Sequence, residues 1–213
     1  MARRKNQQAR RDEFMAAARA VIVREGLAAV TVRNIAAEAG LSSGLVNYYF
    51  PEVDELFQIV YGDAVDRFAT QRRRTVEAIE DPRERLVAMI RSGLPVGPDD
   101  ELCVLLYEFA PLVRRNPVVH VLRRSLYDRQ VAIYQSILDV GQGLGVFTLS
   151  ESSSAVAHNM VALEDAFGHH VVGQLSVGAH EAETHLLGYA NLATGCRLTG
   201  QASHPGASEE TGG

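Results

Sequence analysis

A chain of 213 residues with 46% apolar content can bury a substantial core, and its net charge of −5 excludes a protein that is basic throughout. The charge is unevenly placed: residues 1–50 hold eight Lys/Arg against four Asp/Glu, a net of +4, so residues 51–213 carry −9. Two cysteines, Cys103 and Cys196, stand far apart and give no disulfide framework or zinc pattern, while the lack of a signal-type segment or an apolar run near twenty residues predicts a cytoplasmic chain that does not cross a membrane.

The chain opens on a basic arm, Arg3, Arg4, Lys5, Arg10 and Arg11, with no acid among residues 1–11. A first helix ends at Arg24-Glu25-Gly26. A short helix follows over residues 32–39, where the Thr31 hydroxyl is placed to accept a free backbone N–H and Ile35, Ala36 and Ala39 form an apolar face. Gly40 ends it, since glycine takes the left-handed conformation at little cost. Ser42 or Ser43 caps a second short helix through Tyr49. Two short helices across a glycine turn are the plan of a helix-turn-helix, whose second helix lies in the DNA major groove. The pattern alone also fits a plain pair of packed helices; the basic flank is what favours phosphate contact.

The remaining segments read as all-α. A long helix spans residues 51–80, with Leu56, Val60, Ala64 and Phe68 among its apolar positions, and stops at Asp81-Pro82. Helices follow over residues 83–93, 100–115 and 118–140; the second is apolar nearly all round, and Gly141, Gly143 and Gly145 are expected to end the third. Ser150 is expected to cap a helix over residues 151–172, and a last helix covers residues 179–197. These elements divide into a DNA-binding domain over 1–50, a larger regulatory domain over 51–198, and a Gly/Ser/Glu-rich tail over 199–213 that composition predicts to be disordered.

The order Thr31-Val32-Arg33-Asn34-Ile35-Ala36, Ala39-Gly40-Leu41-Ser42-Ser43-Gly44 and Tyr49-Phe50, preceded by a basic arm and Arg24-Glu25-Gly26, resembles the TetR family of bacterial transcription regulators over residues 10–57. Val113-Arg114-Arg115-Asn116-Pro117, Arg129 and Gly145-Val146-Phe147 are similar to a BetI-type C-terminal domain. The resemblance implies that Thr31 and Arg33 touch phosphates and that Ser42, Ser43, Gly44, Leu45 and Asn47 face the duplex. Asn47 is the first candidate for direct readout, because an amide can pair bidentately with adenine. Tyr48 is expected at a phosphate or a thymine methyl, and Tyr49 either at phosphate or packed on a helix. Two departures stand out. Asn47 replaces the usual aromatic, and Val53 replaces the usual lysine at the start of the next helix, where Glu52, Asp54 and Glu55 would repel DNA. The arm arginines are therefore expected to supply more of the phosphate contact.

The resemblance also implies a C2 homodimer through the last two helices, with Met160, Leu163, Phe167, His170, Leu186 and Tyr189 at the interface, and a small-molecule effector between the central helices. Phe68, Met89, Tyr107, Phe109, Tyr127 and Tyr134 are the candidates to line that pocket. Glu108, Glu164 and Asp165 fall within apolar stretches; each would receive a cation beside the tyrosines, lie exposed, or pair with Arg114 or Arg129. Asp165, His169, His170 and His158 have spacing that suits a metal on one helix face, but no metalloprotease, phosphate-loop or nucleophile-elbow motif accompanies them, so neither a catalytic role nor a cofactor is expected. The expected function is a repressor that binds a palindromic operator and is released by its effector. The alternatives are a regulator whose ligand promotes DNA binding and a helical partner-binding module without sequence readout.

Overall fold

The computed structural model describes residues 2–198, with side chains from residue 7 onward; the tail expected over 199–213 lies outside the described residues. Among these the chain is helical without strands: α1 Ala2–Glu25, α2 Val32–Glu38, α3 Ser43–Tyr49, α4 Val53–Glu77, α5 Pro82–Gly93, α6 Glu101–Glu108, α7 Pro117–Gly143, α8 Ser153–Val172 and α9 Ala179–Thr194. The all-α reading holds, and the basic arm is a continuous first part of α1.

One buried apolar cluster joins α1, α2 and α3 to α4, α6 and α7, through Phe14, Ile22, Ile35, Val46, Phe50, Leu56, Val60, Phe109 and Leu126. A second joins α5, α7, α8 and α9, through Leu86, Met89, Ile90, Leu138, Phe147, Val156, Val161, Leu186 and Ala190. α4 reaches both, since Phe68 belongs to the first and Val76 to the second.

Several boundaries differ from the sequence expectation for local reasons. The helix expected over 100–115 stops at Glu108; Ala110–Leu112, with Pro111, form a 3-10 turn, and Asn116 then caps α7 by accepting from Val118 N and Val119 N at 3.0 and 3.2 Å. α7 runs through Gly141 and ends at Gly143, with Leu144 as its C-cap and Gly145 just beyond at φ +68°. Gly141 is inside the helix because the Phe147 ring lies on its Cα, where a Cβ would overlap it. Ser152, not Ser150, caps α8, accepting from Ala155 N at 3.2 Å. α9 ends at Thr194 on left-handed Gly195.

Candidate nucleic-acid interface and effector core

The helix-turn-helix is built by its own caps. Thr31 Oγ1 accepts from Asn34 N at 3.1 Å, and Asn34 Nδ2 donates to Ala29 O at 2.8 Å, tying α2 to the preceding turn. Gly40 takes φ +66°, and Leu41 N reaches back to Ala36 O at 2.9 Å, a closure that lets the chain reverse within a few residues. Ser42 Oγ accepts from Leu45 N at 3.3 Å and starts α3. In each cap the hydroxyl oxygen is the acceptor, so its O–H remains available to donate to a phosphate.

The outer face of this unit carries Thr31, Arg33, Ser42, Ser43, Gly44, Asn47 and Tyr48, all exposed, with Tyr48 at 70%. Its inner face is apolar: Ile35, Ala36 and Val46 are buried, and Leu45 is half-buried against the same cluster. Tyr49 is packed rather than free, its ring 5.8 Å from Phe14 of α1, while Phe14 also meets Phe50 edge-on at 6.4 Å. Thus the structure brings together the expected DNA-facing residues but turns Tyr49 and most of Leu45 inward.

Two arginines of the arm have partners within the protein. Arg11 lies over the Phe50 ring at 4.6 Å and pairs with Glu55 at 2.7 Å, and Arg10 pairs with Glu13 at 2.6 Å. These two arginines are engaged with the protein, and Arg11 neutralises one of the acids at the start of α4. The Arg3, Arg4 and Lys5 side chains lie outside the described ones. α4 begins at Val53 without a side-chain cap, and Glu55 N donates to the Glu52 backbone carbonyl at 3.0 Å.

The regulatory half holds a buried polar group. Arg72 is fully buried; it donates to Glu164 through two nitrogens at 2.8 and 2.7 Å, to Gln130 Oε1 at 2.6 Å and to Met89 O at 3.1 Å. Tyr134 donates to Glu164 as well. The guanidinium lies beside the Phe68 and Tyr134 rings, 5.4 and 5.6 Å from their centroids, and only its Nε lacks a protein partner. Burial pushes the Glu164 carboxyl above its ordinary range, and the Arg72 charge and bonds draw it back part of the way. Burial also raises the Tyr134 hydroxyl well above its usual value, which keeps it a donor. Gly93 of α5 lies against the Glu164 carboxylate, where a Cβ would overlap it.

This group corrects the expected partners of the acids. Glu164 pairs with Arg72, not Arg114 or Arg129; Arg129 pairs with Asp66 at 2.9 Å. Asp165 pairs with Arg123 at 2.8 Å. Glu108, at the end of α6, accepts from Leu27 N at 2.8 Å across to the recognition half. Gly26 at that contact has φ +80°, and a Cβ there would sit 3.3 Å from the same carboxylate, so only glycine suits the turn. Arg72 and Gln130 were invisible in the sequence. Arg72 opens the run Arg72-Arg73-Arg74, which reads as a solvated face, and its partner Glu164 stands 92 residues away.

The six candidate pocket residues separate. Phe68, Met89 and Tyr134 gather around Arg72; Phe109 stacks on Tyr61 at 4.8 Å within the first cluster; Tyr107 lies on His169 at 4.2 Å; Tyr127 faces His158 at 5.8 Å. The six proposed interface residues separate too. Met160 and Leu186 are buried in their own subunit's core, which removes them from any outer surface. Leu163, Phe167, His170 and Tyr189 are half-exposed on the outer side of α8 and α9, near Leu192 at 81% exposure. The spacing that suited a metal is taken by other contacts: Asp165 by Arg123, His170 by Ser176 at 3.2 Å, and His158 by Ser154 O at 2.8 Å. Cys103 is buried, which raises its thiol pKa; Cys196 accepts from Arg83 Nε at 3.3 Å, a basic neighbour the sequence did not reveal. Among the described residues no helix is long and apolar enough to cross a membrane.

Residues 14–60, which include the whole capped turn, match the bacterial regulatory proteins of the tetR family. The chain is 29% identical over 131 residues to the HTH-type transcriptional regulator BetI of Paraburkholderia phymatum, covering 58% of this chain and 66% of that one. It is 30% identical over 119 residues to the HTH-type nicotine-responsive transcriptional repressor HdnoR of Paenarthrobacter nicotinovorans, covering 55% and 61%. The matched stretches thus span less than two thirds of these relatives. A transcriptional regulator from Saccharomonospora viridis, solved in complex with choline, superposes with a TM-score of 0.80 over 86% of this chain and 96% of that one. At 24% identity that likeness shows the fold alone. Over residues 14–60 the chain thus carries the recognition unit of the tetR family of bacterial regulatory proteins, and the relatives it matches beyond that unit are regulators too.

Proposed function

We propose that this chain is a one-component transcription regulator that binds a palindromic operator as a homodimer and is released by a small-molecule effector. The observation that carries this reading is the exposed polar face of α2 and α3, Thr31, Arg33, Ser43, Asn47 and Tyr48, presented across a glycine turn whose inner side is fully packed. A C2 dimer through the outer sides of α8 and α9, with Leu163, Phe167, Tyr189 and Leu192 in contact, would set two copies of α3 about 34–36 Å apart, one turn of duplex. Such a protein acts on chromosomal DNA, in the cytoplasm.

Two contacts support coupling between the halves. α4 begins beside the recognition helix and carries Arg72 into the buried polar group. α6 bonds the recognition half through Glu108 and touches α8 through Tyr107, whose hydroxyl lies against Gly168. An effector that spreads α8 from α6 would therefore bear on the Leu27 turn and on α4 together. Relatives respond to nicotine or are found with choline. In this chain a cation directed to Glu164 would have to displace Arg72, so an acid-and-aromatic site alone does not imply a cationic effector here.

The test is selection from random duplex DNA with the purified protein, followed by salt titration on the enriched site. A palindrome whose affinity drops in Asn47→Ala is the expected result. Failure to enrich any sequence, with only salt-sensitive background binding, overturns sequence-specific regulation and leaves the partner-binding module.

A further inference from the structure

The outer seam between α4 and α7 holds a feature that regulation through the buried core does not use. A cleft of about 360 Å³ opens there and at α5, with Val76, Ile133 and Ile137 as its apolar floor and Arg73 and Arg85 on its rim. Glu77 is its only acid. It continues into a second hollow of about 380 Å³ that shares Arg73 and Ile133 and adds Ala69 and Arg129. None of the six aromatic and methionine candidates for the effector core lines either hollow.

The rim charges differ in their availability. Arg85 is half-buried and fixed, its Nε donating to Ile79 O at 2.7 Å with a second nitrogen on the same oxygen. Arg129 is committed to Asp66 and Ser125. Arg73 is exposed, has no ion pair among the described residues, and stands where the two hollows meet. Its i+4 neighbour Glu77 lies beyond ion-pair distance, although that spacing commonly forms a pair. A trough with an aliphatic floor and an uncommitted guanidinium at its middle complements a molecule with an apolar body and one anionic oxygen group. Guanidinium recognises a carboxylate with two parallel N–H bonds, and the volume falls in the range of small-molecule sites.

We propose that the α4–α7 trough is a binding site for an amphipathic carboxylate of the medium-chain aliphatic acid class, with Arg73 taking the carboxylate and Ile133 and Val76 the chain. This site is separate from the effector core.

Isothermal titration of the full chain with sodium decanoate, below its micelle concentration and without DNA, tests the site. Saturable binding is expected, weakened at least about tenfold in Arg73→Glu, as for loss of one charge-assisted contact. A similar loss is expected in Ile133→Asp, and weaker binding of decyltrimethylammonium. Arg73 is exposed, so helicity is expected to hold in its variant, whereas Ile133 is half-buried against the second cluster and its variant is checked for folding first; should either variant unfold, Arg73→Gln carries the same prediction with a smaller loss. Equal decanoate affinity in the parent and the Arg73 variants would overturn the proposal, since it would place the ligand elsewhere. Absence of saturable binding, or preference for the cationic amphiphile, overturns it too. None of these readouts involves operator DNA, so they stand or fall apart from the regulatory reading.

Discussion

The recognition half and the regulatory half bury different kinds of atoms. Around α1, α2 and α3 the interior is Phe14, Val21, Ile22, Ile35, Val46 and Phe50, with polar groups turned outward or spent in caps. Around α5, α7 and α8 the interior includes Arg72, Gln130 and Glu164, each with 4% exposure or less. The first half gains its shape from local hydrogen bonds and apolar packing. The second is held by one charge pair spanning α4 and α8, whose worth depends on both partners being present.

Removing one partner should therefore give the largest effect. Arg72→Met leaves a buried carboxylate, and Glu164→Met leaves a buried guanidinium; each is expected to cost about 3–5 kcal/mol in chemical denaturation. The double replacement should recover much of that loss, because two apolar side chains need no compensation. Single variants that unfold at the parent's denaturant concentration would mean that water reaches the pair, and the contrast between the halves would collapse.

On the recognition half the expected effect is on binding rather than stability. Asn47 is exposed and supports no cap, so Asn47→Ala should leave the melting temperature unchanged while reducing affinity for the enriched operator by about 1–3 kcal/mol, the worth of a bidentate base contact. Competitive electrophoretic or anisotropy titration reads this directly. A change spread evenly over all DNA sequences would instead make Asn47 a phosphate contact.

Glu108 joins the two halves, and its effect should be smaller. Glu108→Ala strands the part-buried Leu27 N–H, at an expected cost of about 1–2 kcal/mol. Hydrogen exchange should show faster exchange at Leu27 than in the parent, ahead of global unfolding. If exchange there is unchanged, the carboxylate contributes nothing to holding the turn.

The same contrast explains what the sequence made legible. Thr31, Gly40 and Ser42 act on residues within five positions of themselves, so the two short helices and the turn between them were readable from spacing, while the basic flank was needed to favour DNA over a plain helix pair. Signals that depend on distant packing were not. Gly141 looked like a helix stop and is instead the seat of Phe147; the helix after Asp100 looked continuous, but Pro111 lies where the chain turns towards the Asn116 cap. Met160 and Leu186 share stripes with Leu163 and Tyr189, yet only the fold decides which edge of each stripe faces inward. Nothing local distinguishes Arg72 from Arg73 and Arg74: one is the centre of the buried group, the next lines the outer trough.

The smallest effect expected is a pH dependence at the junction of α6 and α8. Desolvation lowers the His169 pKa below its ordinary value; Asp165 opposes the shift, and Arg123 and His170 add to it. The ring lies on Tyr107, at the contact that α6 makes with Gly168. Because the folded state takes up the proton less readily than the unfolded chain, His169 contributes its stability above the unfolded value near 6.5. That contribution declines as pH falls from about 6.5 through the lower folded value. His169→Gln should flatten the decline in melting temperature between about pH 7.5 and pH 5.5. The lost ring contact would lower both temperatures equally, so the difference between the two pH values isolates the titration. An identical decline in parent and variant would assign the acid sensitivity to the other six histidines or to the carboxylates.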